Sequence, residues 1–223
     1  YTSPIACFVG VLRYCVMGEG IATKVEQIYV TKGGNLFRDV PNTAWYFAHV
    51  DRAVTQGMLK GVGDYQYDPD GSLTRAMFVT MLYRTMQKLG TTGEVGQNTF
   101  SDVKDGQWYT EAILWAAKEG IVKGYGNGTF LPDQSINREE MCAMLSRAMN
   151  KKLTDASGEL KFADKDKISD WAKDSVRSMT AAGIMEGTDG NRFAPKDTAT
   201  RAQAATVLLR MMDYIQKNTA KPQ

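Results

Sequence analysis

The sequence is poor in the side chains that most catalytic and metal-binding sites need. It contains one histidine, His49, and three cysteines, Cys7, Cys15 and Cys142, with no CxxC pair among them. This set can supply neither a zinc site nor a supported catalytic triad. No phosphate-binding GxxxxGK[ST] segment is present. We therefore predict that the chain is not an enzyme, and we expect no catalytic residue, no metal site and no cofactor.

Long hydrophobic runs and a strong net charge are also missing. The longest apolar stretch, PIACFVGVL, is about half the length that a membrane-spanning helix needs, and Arg13 follows it closely. The formal net charge of +2 is too small for the clustered basic surface that nucleic-acid binding requires. With 43% hydrophobic and 23% charged residues, the composition is that of an ordinary globular protein. We predict no membrane span and no nucleic-acid partner.

What the sequence does contain is an internal repeat in three copies, spaced 63 residues apart with no insertion between the recurring tryptophan and the recurring arginine. The recurring residues are Trp45, Trp108 and Trp171; Gly57, Gly120 and Gly183; Tyr67, Phe130 and Phe193; Pro69, Pro132 and Pro195; and Arg75, Arg138 and Arg201. A fixed period decides the architecture before any single helix does. We divide the chain into an N-terminal segment, repeat 1, repeat 2 and repeat 3, at 1–36, 37–99, 100–161 and 162–223.

Each repeat is predicted to fold as a helix, a glycine-rich loop and a second helix. The first helix is amphipathic and ends at the recurring glycine, which can adopt the left-handed cap conformation without strain. The second helix carries apolar residues at i, i+3, i+4 and i+7, as in Met141, Met144, Leu145 and Ala148. Such a short pair of helices cannot bury its apolar stripe alone. Because an open solenoid needs capping repeats and none is recognisable, a closed three-fold cluster is favoured.

The repeats resemble the S-layer homology (SLH) domain, in three tandem copies from Phe37 to about Ile215. The resemblance rests on the openings FRDVPNTAWY, FSDVKDGQWY and FADKDKISDW, the loop GYGNGTFLPD, and the signatures TRAM, NREE and TRAQ. It implies a mainly α-helical fold in which three helix-loop-helix repeats form a pseudo-three-fold spindle around a shared helical core. It also implies a noncatalytic module that anchors a protein to anionic secondary cell-wall polysaccharide, often ending in a pyruvylated amino sugar, at the cell wall or S-layer of a bacterium.

The recurring arginine stands just after the N-cap of each second helix. A capping box can close with Glu140 and Gln203, but not with Met77, which holds the same position in repeat 1. Capping does not explain the arginine, because the helix dipole opposes a cation in the first turn. Two explanations stay open. The guanidinium binds an anion in front of the helix, such as a carboxylate held by two hydrogen bonds, or it is structural and bonds the adjacent repeat.

Three sets of residues are our candidates for ligand binding in grooves between repeats. They are Arg75, Arg138 and Arg201; Asp39, Asp102 and Asp164; and Trp45, Trp108 and Trp171. The aspartates precede the first helix and either cap a turn or, as the resemblance implies, bind sugar hydroxyls. The tryptophans begin an amphipathic helix, so we expect core anchors first and sugar platforms as the alternative. The carboxylate of a pyruvate ketal would suit the arginines.

Alternatives from other classes also stay open. The repeats could form a scaffold that docks another protein, or the C-terminal anchor of a larger surface enzyme. Residues 1–36 are compatible with the tail of an upstream domain: the segment VLRYCVMGEGIA suggests a degenerate first helix, whereas KVEQIYVTKGGN alternates like a strand. Cys142 takes the place of Val79 and Ala205 in the other repeats, which predicts a buried thiol.

Overall fold

The computed structural model describes residues 9–18, 21–31, 36–63, 65–149 and 159–219. Its N-terminal part is an antiparallel hairpin of β1 (Val9–Gly18) and β2 (Ile21–Thr31). The strand predicted from the alternation in KVEQIYVTKGGN is confirmed through Thr31. The hypothesis of a degenerate first helix is wrong, because most of that segment lies in β1, where valine and tyrosine favour extended backbone. The sequence also allows a bridge between Cys7 and Cys15, but Cys7 lies outside the residues that the structure describes.

Each repeat contributes two α-helices, as predicted. The first helices are α1 (Phe47–Thr55), α3 (Thr110–Lys118) and α5 (Asp170–Ala181), and the second helices are α2 (Arg75–Lys88), α4 (Arg138–Ala148) and α6 (Arg201–Thr219). A short 3-10 helix, Lys165–Lys167, precedes α5. The glycine after each first helix has a positive φ, 73° at Gly57, 70° at Gly120 and 68° at Gly183, which confirms the predicted left-handed caps. None of the described helices combines the length and the apolar character needed to cross a membrane.

The second helices begin at side-chain caps. In α4, Asn137 and Glu140 form a complete capping box. In α6 the backbone N–H of Gln203 donates to Oγ1 of Thr200 at 3.3 Å. In α2 the Thr74 hydroxyl accepts from the N–H of Met77, whose thioether cannot reciprocate. The predicted caps are confirmed, including the half-formed box of repeat 1.

The helices of each repeat pack against those of the next repeat. The second helix of one repeat contacts the first helix of the following repeat: α2 packs on α3 and α4 on α5, while α6 returns to α1. The loop aromatics Tyr67, Phe130 and Phe193 are fully buried in this core, and so is Cys142, as predicted. The contact between α6 and α1 closes the set of three.

Backbone hydrogen bonds at the centre show the same closure. The N–H of Leu73 donates to the carbonyl of Ala199 at 3.1 Å, that of Ala199 to Ile136 at 2.9 Å, and that of Ile136 back to Leu73 at 2.9 Å. These three residues, here called the axial ring, each stand two positions before the recurring arginine. The ring places one strand-like residue of every repeat around a pseudo-three-fold axis, so the closed spindle is confirmed and the open solenoid is wrong.

Candidate functional site

The three recurring arginines are buried and join neighbouring repeats. Arg75 and Arg138 are 4% exposed and Arg201 is 7% exposed. Each Nε donates to the carbonyl of the next repeat's loop aromatic, at 3.0 Å for Arg75 to Phe130, 2.8 Å for Arg138 to Phe193, and 2.7 Å for Arg201 to Tyr67. Each guanidinium also lies over the ring of that aromatic, 4.7 to 5.2 Å from its centroid. We call these contacts the arginine clamps.

The clamps show one of the two explanations for the arginines directly: the side chain bonds the adjacent unit. In two clamps Nη2 adds a second backbone contact, from Arg138 to the carbonyl of Glu186 at 2.9 Å and from Arg201 to that of Lys60 at 2.8 Å. Nη1 of these two arginines donates no hydrogen bond to any residue that the structure describes. A structural role for Nε and Nη2 thus leaves Nη1 for a ligand, so the anion site stays a prediction.

The aspartates hold the loops in shape. Asp102 accepts the N–H groups of Phe130 and Leu131 at 2.8 and 2.7 Å. Leu131 has a φ of 58°, and the matching Asp68 and Ala194 have 58° and 55°, a conformation that non-glycine residues adopt only when held there. Asp39 and Asp164 bond the equivalent pairs in their own repeats. The turn-capping interpretation is therefore what the structure shows for these carboxylates.

The tryptophans are exposed, so the expectation of core anchors is wrong. Trp45, Trp108 and Trp171 are 63%, 58% and 55% exposed. Trp45 and Trp108 lie in the turns ahead of α1 and α3, and Trp171 is the second residue of α5, so none of them is on the buried stripe of its helix. Trp45 and Trp108 rest edge-on against the tyrosine that follows each of them, at 5.2 and 5.1 Å. More than half of each indole is therefore open to solvent, as a platform requires.

Two grooves bring the arginines and tryptophans together. Groove A has a volume of about 360 Å³ and is lined by Arg75, Lys123, Tyr125, Glu140, Arg147 and Trp171, among others. Groove B has a volume of about 500 Å³ and is lined by Trp45, Arg138, Glu186, Thr188, Gln203 and Arg210, among others. The two sets match position by position, so each groove combines residues of all three repeats. The aspartates line neither groove.

A third groove follows from the same register. The residues that correspond to those of grooves A and B are Lys60, Met77, Thr80, Arg84, Trp108 and Arg201, which we call groove C. The hydrogen bond from Arg201 to the carbonyl of Lys60, together with the packing of α2 on α3, supports the correspondence. From this register we infer a third groove of the same design as grooves A and B.

The floor of each groove is a helix face that the sequence analysis missed. In α4 this face consists of Glu140, Ala143, Met144 and Arg147, at i, i+3, i+4 and i+7. The signal was present, because the segments that begin with the recurring arginine all end in a second one, Arg84, Arg147 or Arg210. The sequence analysis assigned this face to the core because of apolar residues such as Met144, and it gave no role to the polar residues at the two ends.

The electrostatics of the grooves differ. In groove A, Nη1 of Arg75 lies 3.5 Å from a carboxylate oxygen of Glu140, and the Tyr125 hydroxyl donates to the same oxygen at 2.8 Å. The Tyr125 ring also lies under the guanidinium, 4.7 Å from its centroid. Burial lowers the pKa of Arg75 below its ordinary value, while Tyr125 and Glu140 oppose the shift. In groove B, Nη2 of Arg210 pairs with Glu186 at 3.0 Å.

The described part of the chain holds no group of three or more His, Cys, Asp or Glu side chains suited to a metal ion. The burial of Cys142 raises the pKa of its thiol, which keeps the thiolate from forming. What the grooves offer is a cationic donor, an aromatic plane and a polar helix face. These groups suit recognition of a polar ring that carries an anionic substituent.

Comparison with known proteins points to one family. The sequence profile of the S-layer homology domain matches residues 36–77, 99–142 and 161–205. The chain is 35% identical over 195 residues to an amylopullulanase of Thermoanaerobacterium thermosulfurigenes, a match to 86% of this chain and 10% of that protein. It is 34% identical over 178 residues to the S-layer protein sap of Bacillus anthracis, a match to 79% of this chain and 21% of that protein.

A third relative is a cellulosome-anchoring protein of Acetivibrio thermocellus, 32% identical over 117 residues, which are 52% of this chain and 26% of that protein. The chain therefore spans only a minor part of the length of each of these relatives.

Proposed function

Because the chain belongs to the S-layer homology family, with all three repeats matched, we propose that it is a noncatalytic module that anchors a protein to the bacterial cell wall. Its ligand is a secondary cell-wall polysaccharide with an anionic group, such as the carboxylate of a pyruvylated amino sugar. Its place is the outer surface of the cell, in the cell wall or S-layer.

The observation that carries the proposal is the composition of the grooves. Each described groove holds a buried arginine of one repeat, the loop and helix face of the next, and an exposed tryptophan of the third. An exposed indole plane stacks on the apolar face of a sugar ring, and the Nη1 of the arginine is directed to a carboxylate. The indole lies outside the buried core, and in groove B the Nη1 of Arg138 takes no part in the clamp.

The larger context is also a proposal. Some relatives have the names of enzymes, and the match covers only 10% of the length of the amylopullulanase. We therefore propose that the chain serves as the anchor of a longer surface protein, in which another domain carries any catalysis. A protein-docking scaffold would need a long apolar stripe, whereas the exposed tryptophans are distributed one to each repeat.

The test is sedimentation with purified cell-wall sacculi, before and after removal of their secondary polymer. We expect the wild-type chain to pellet with intact sacculi and to stay in solution with stripped ones. The variant Trp45→Ala/Trp108→Ala/Trp171→Ala should lose binding while it stays folded, because all three side chains are exposed. Val95→Ala, which truncates another exposed apolar residue outside grooves A and B, is the matched control. Equal binding to stripped sacculi would contradict the proposal.

A further inference from the structure

The loop between α3 and α4 contains an Asn-Gly pair. Of the asparagines in the sequence, only Asn127 is followed by glycine, at Gly128. Both residues are exposed, and Gly128 has a φ of 77°, in the left-handed region. Apart from its chain neighbours, no heavy atom lies within 4 Å of the place that a Cβ on Gly128 would take. Water and hydroxide therefore have access to the peptide bond that joins the two residues.

The side-chain oxygen of Asn127 is held by two donors. Oδ1 accepts the backbone N–H of Thr129 at 3.2 Å and the hydroxyl of Thr129 at 2.6 Å. Donors at a carbonyl oxygen stabilise the negative charge that develops there when a nucleophile attacks the carbon. The two hydrogen bonds therefore favour attack on Cγ, the amide carbon of Asn127.

The nucleophile and the leaving group for such an attack are both unbound. The backbone N–H of Gly128 and the Nδ2 of Asn127 bond none of the residues that the structure describes. An unbound N–H can lose its proton to solvent base, and an unbound amide nitrogen can leave without breaking a contact. Glycine also has no side chain that would obstruct its own nitrogen. Asn127 and Gly128 thus combine a polarised carbon, an unhindered nucleophile and an unbound leaving group.

Another asparagine in a turn, Asn98, lacks this combination. It also accepts a backbone N–H from two residues ahead, that of Phe100 at 3.1 Å. Its Nδ2, however, donates to the carbonyl of Val103 at 2.7 Å. The next residue is Thr99, whose branched side chain crowds the nitrogen that would attack. Asn98 is therefore a matched comparison within the same chain.

We propose that Asn127 is a site of spontaneous deamidation in the folded protein, and that Thr129 promotes the reaction. The nitrogen of Gly128 loses its proton to solvent and forms a bond to Cγ of Asn127. The bond from Cγ to Nδ2 breaks, and Nδ2 takes up a proton and leaves as ammonia. Water then opens the resulting cyclic succinimide at either carbonyl, which leaves aspartate or isoaspartate at position 127. In total, one water is consumed and one ammonia is released. This inference does not depend on the proposed function.

The two products differ in their effect on the loop. Aspartate leaves the backbone unchanged, whereas isoaspartate carries it through the former side chain and adds a methylene group between Gly126 and Gly128. Hydrogen bonds fix the present length of the loop, from the N–H of Tyr125 to the carbonyl of Thr129 at 3.0 Å and from the N–H of Ser101 to that of Gly128 at 2.9 Å. Isoaspartate strains these bonds, so the part of groove A that Tyr125 lines changes as the protein ages.

The test is incubation of the full chain at neutral and at mildly alkaline pH, followed by peptide mapping with mass spectrometry. Tryptic cleavage after Lys123 and Arg138 yields a peptide with Asn127 and a second asparagine, Asn137, while another peptide carries Asn98. We expect Asn127 to gain the mass of an exchange of NH for O before the other two do, and faster at the higher pH. An aspartate-specific protease then distinguishes aspartate, which it cleaves, from isoaspartate, which it does not.

The decisive variant is Thr129→Val, which keeps the backbone donor and the side-chain shape but removes the hydroxyl from Oδ1. The net strength of one hydrogen bond corresponds to a rate change of about twofold to tenfold, so we expect this variant to deamidate more slowly by that factor. Asn127→Gln, whose longer side chain cannot form the succinimide, is the control and should keep the mass of the peptide constant.

Retention of the Asn127 amide throughout the incubation would overturn the inference, and so would faster loss at Asn98 or Asn137. Equal rates in the wild-type chain and Thr129→Val would also overturn it, because Thr129 would then not promote the reaction. A parallel sample in guanidinium chloride reports on the unfolded chain. If Asn127 reacts there and not in the folded protein, the site that we assign to the fold does not exist.

Discussion

The axis of the spindle and the rims of its grooves are built from the same three repeats, but the axis is nearly identical in all three whereas the rims differ. At the axis, the axial ring and the arginine clamps use the same atoms in all three repeats, with distances that differ by a few tenths of an ångström. At the rims, one register position changes from methionine to glutamate to glutamine, and another from Val62 to Tyr125 to Thr188. The axis must satisfy one shared geometry, whereas each rim faces solvent and can be shaped independently.

The strongest test of this comparison removes one clamp. Arg138→Met leaves the buried carbonyl of Phe193 and the partly buried carbonyl of Glu186 without their donor, and an unsatisfied buried acceptor costs about 1 to 3 kcal/mol. We expect the free energy of unfolding to fall by roughly 2 to 5 kcal/mol in urea titrations. Arg84→Met, on the matching helix of repeat 1 but outside any clamp, is the control and should change stability little. If the two variants are equally stable, the axis has no special role.

A second test compares the loop clasps among repeats. Asp102→Ala frees two N–H groups and releases Leu131 from its left-handed conformation, which should cost about 1 to 3 kcal/mol. Because the bonds recur in each repeat, Asp39→Ala and Asp164→Ala should cost similar amounts. Differential scanning calorimetry of the three variants measures this directly. If only one of the three variants loses stability, the aspartates do not have the same role in the three repeats.

The third test moves to the rims. Trp108→Ala should lower the free energy of unfolding by about 0.5 kcal/mol or less, because the indole is mostly exposed. Trp115→Ala, seven residues later on α3 and 1% exposed, is the internal control that must destabilise strongly. Both are compared by urea titration. A large effect of Trp108→Ala would mean that the rim residue is structural after all.

The smallest expected effect concerns a residue that only repeat 1 has. His49 has no hydrogen-bond partner for its buried Nδ1 among the described residues, and burial, with Arg210 nearby, lowers its pKa below the ordinary 6.5. As the pH falls through about 6.5, the unfolded chain therefore takes up a proton before the folded one does, and stability decreases. His49→Ala, the residue that repeat 2 has at this place, should show a smaller acid loss in urea titrations at about pH 7.5 and 5.5. The same loss in both proteins would contradict this role.

The sequence was sufficient for what depends on local spacing. The caps at Thr74 and Asn137 and the left-handed glycines follow from residues that are close in the chain. The sequence left open that each arginine bonds the adjacent repeat, but it could not identify the residue that each one contacts. The partner of Arg201 lies 134 residues away at Tyr67, and no local pattern encodes the direction in which the repeats interlock. The prediction for Trp45 was wrong for a different reason. The first helix begins two residues later than predicted, at Phe47, so Trp45 lies at the surface and not on the buried stripe.

The closure of the axial ring also constrains how the protein can come to be folded. Repeat 1 and repeat 3 are the farthest apart in sequence and yet are direct neighbours, through Leu73 to Ala199 and Tyr67 to Arg201. During synthesis, the first two repeats are complete long before the third emerges, and the contacts of highest sequence separation form last. A nascent chain with two repeats thus lacks one of the three ring residues, and we expect the third repeat to complete the spindle.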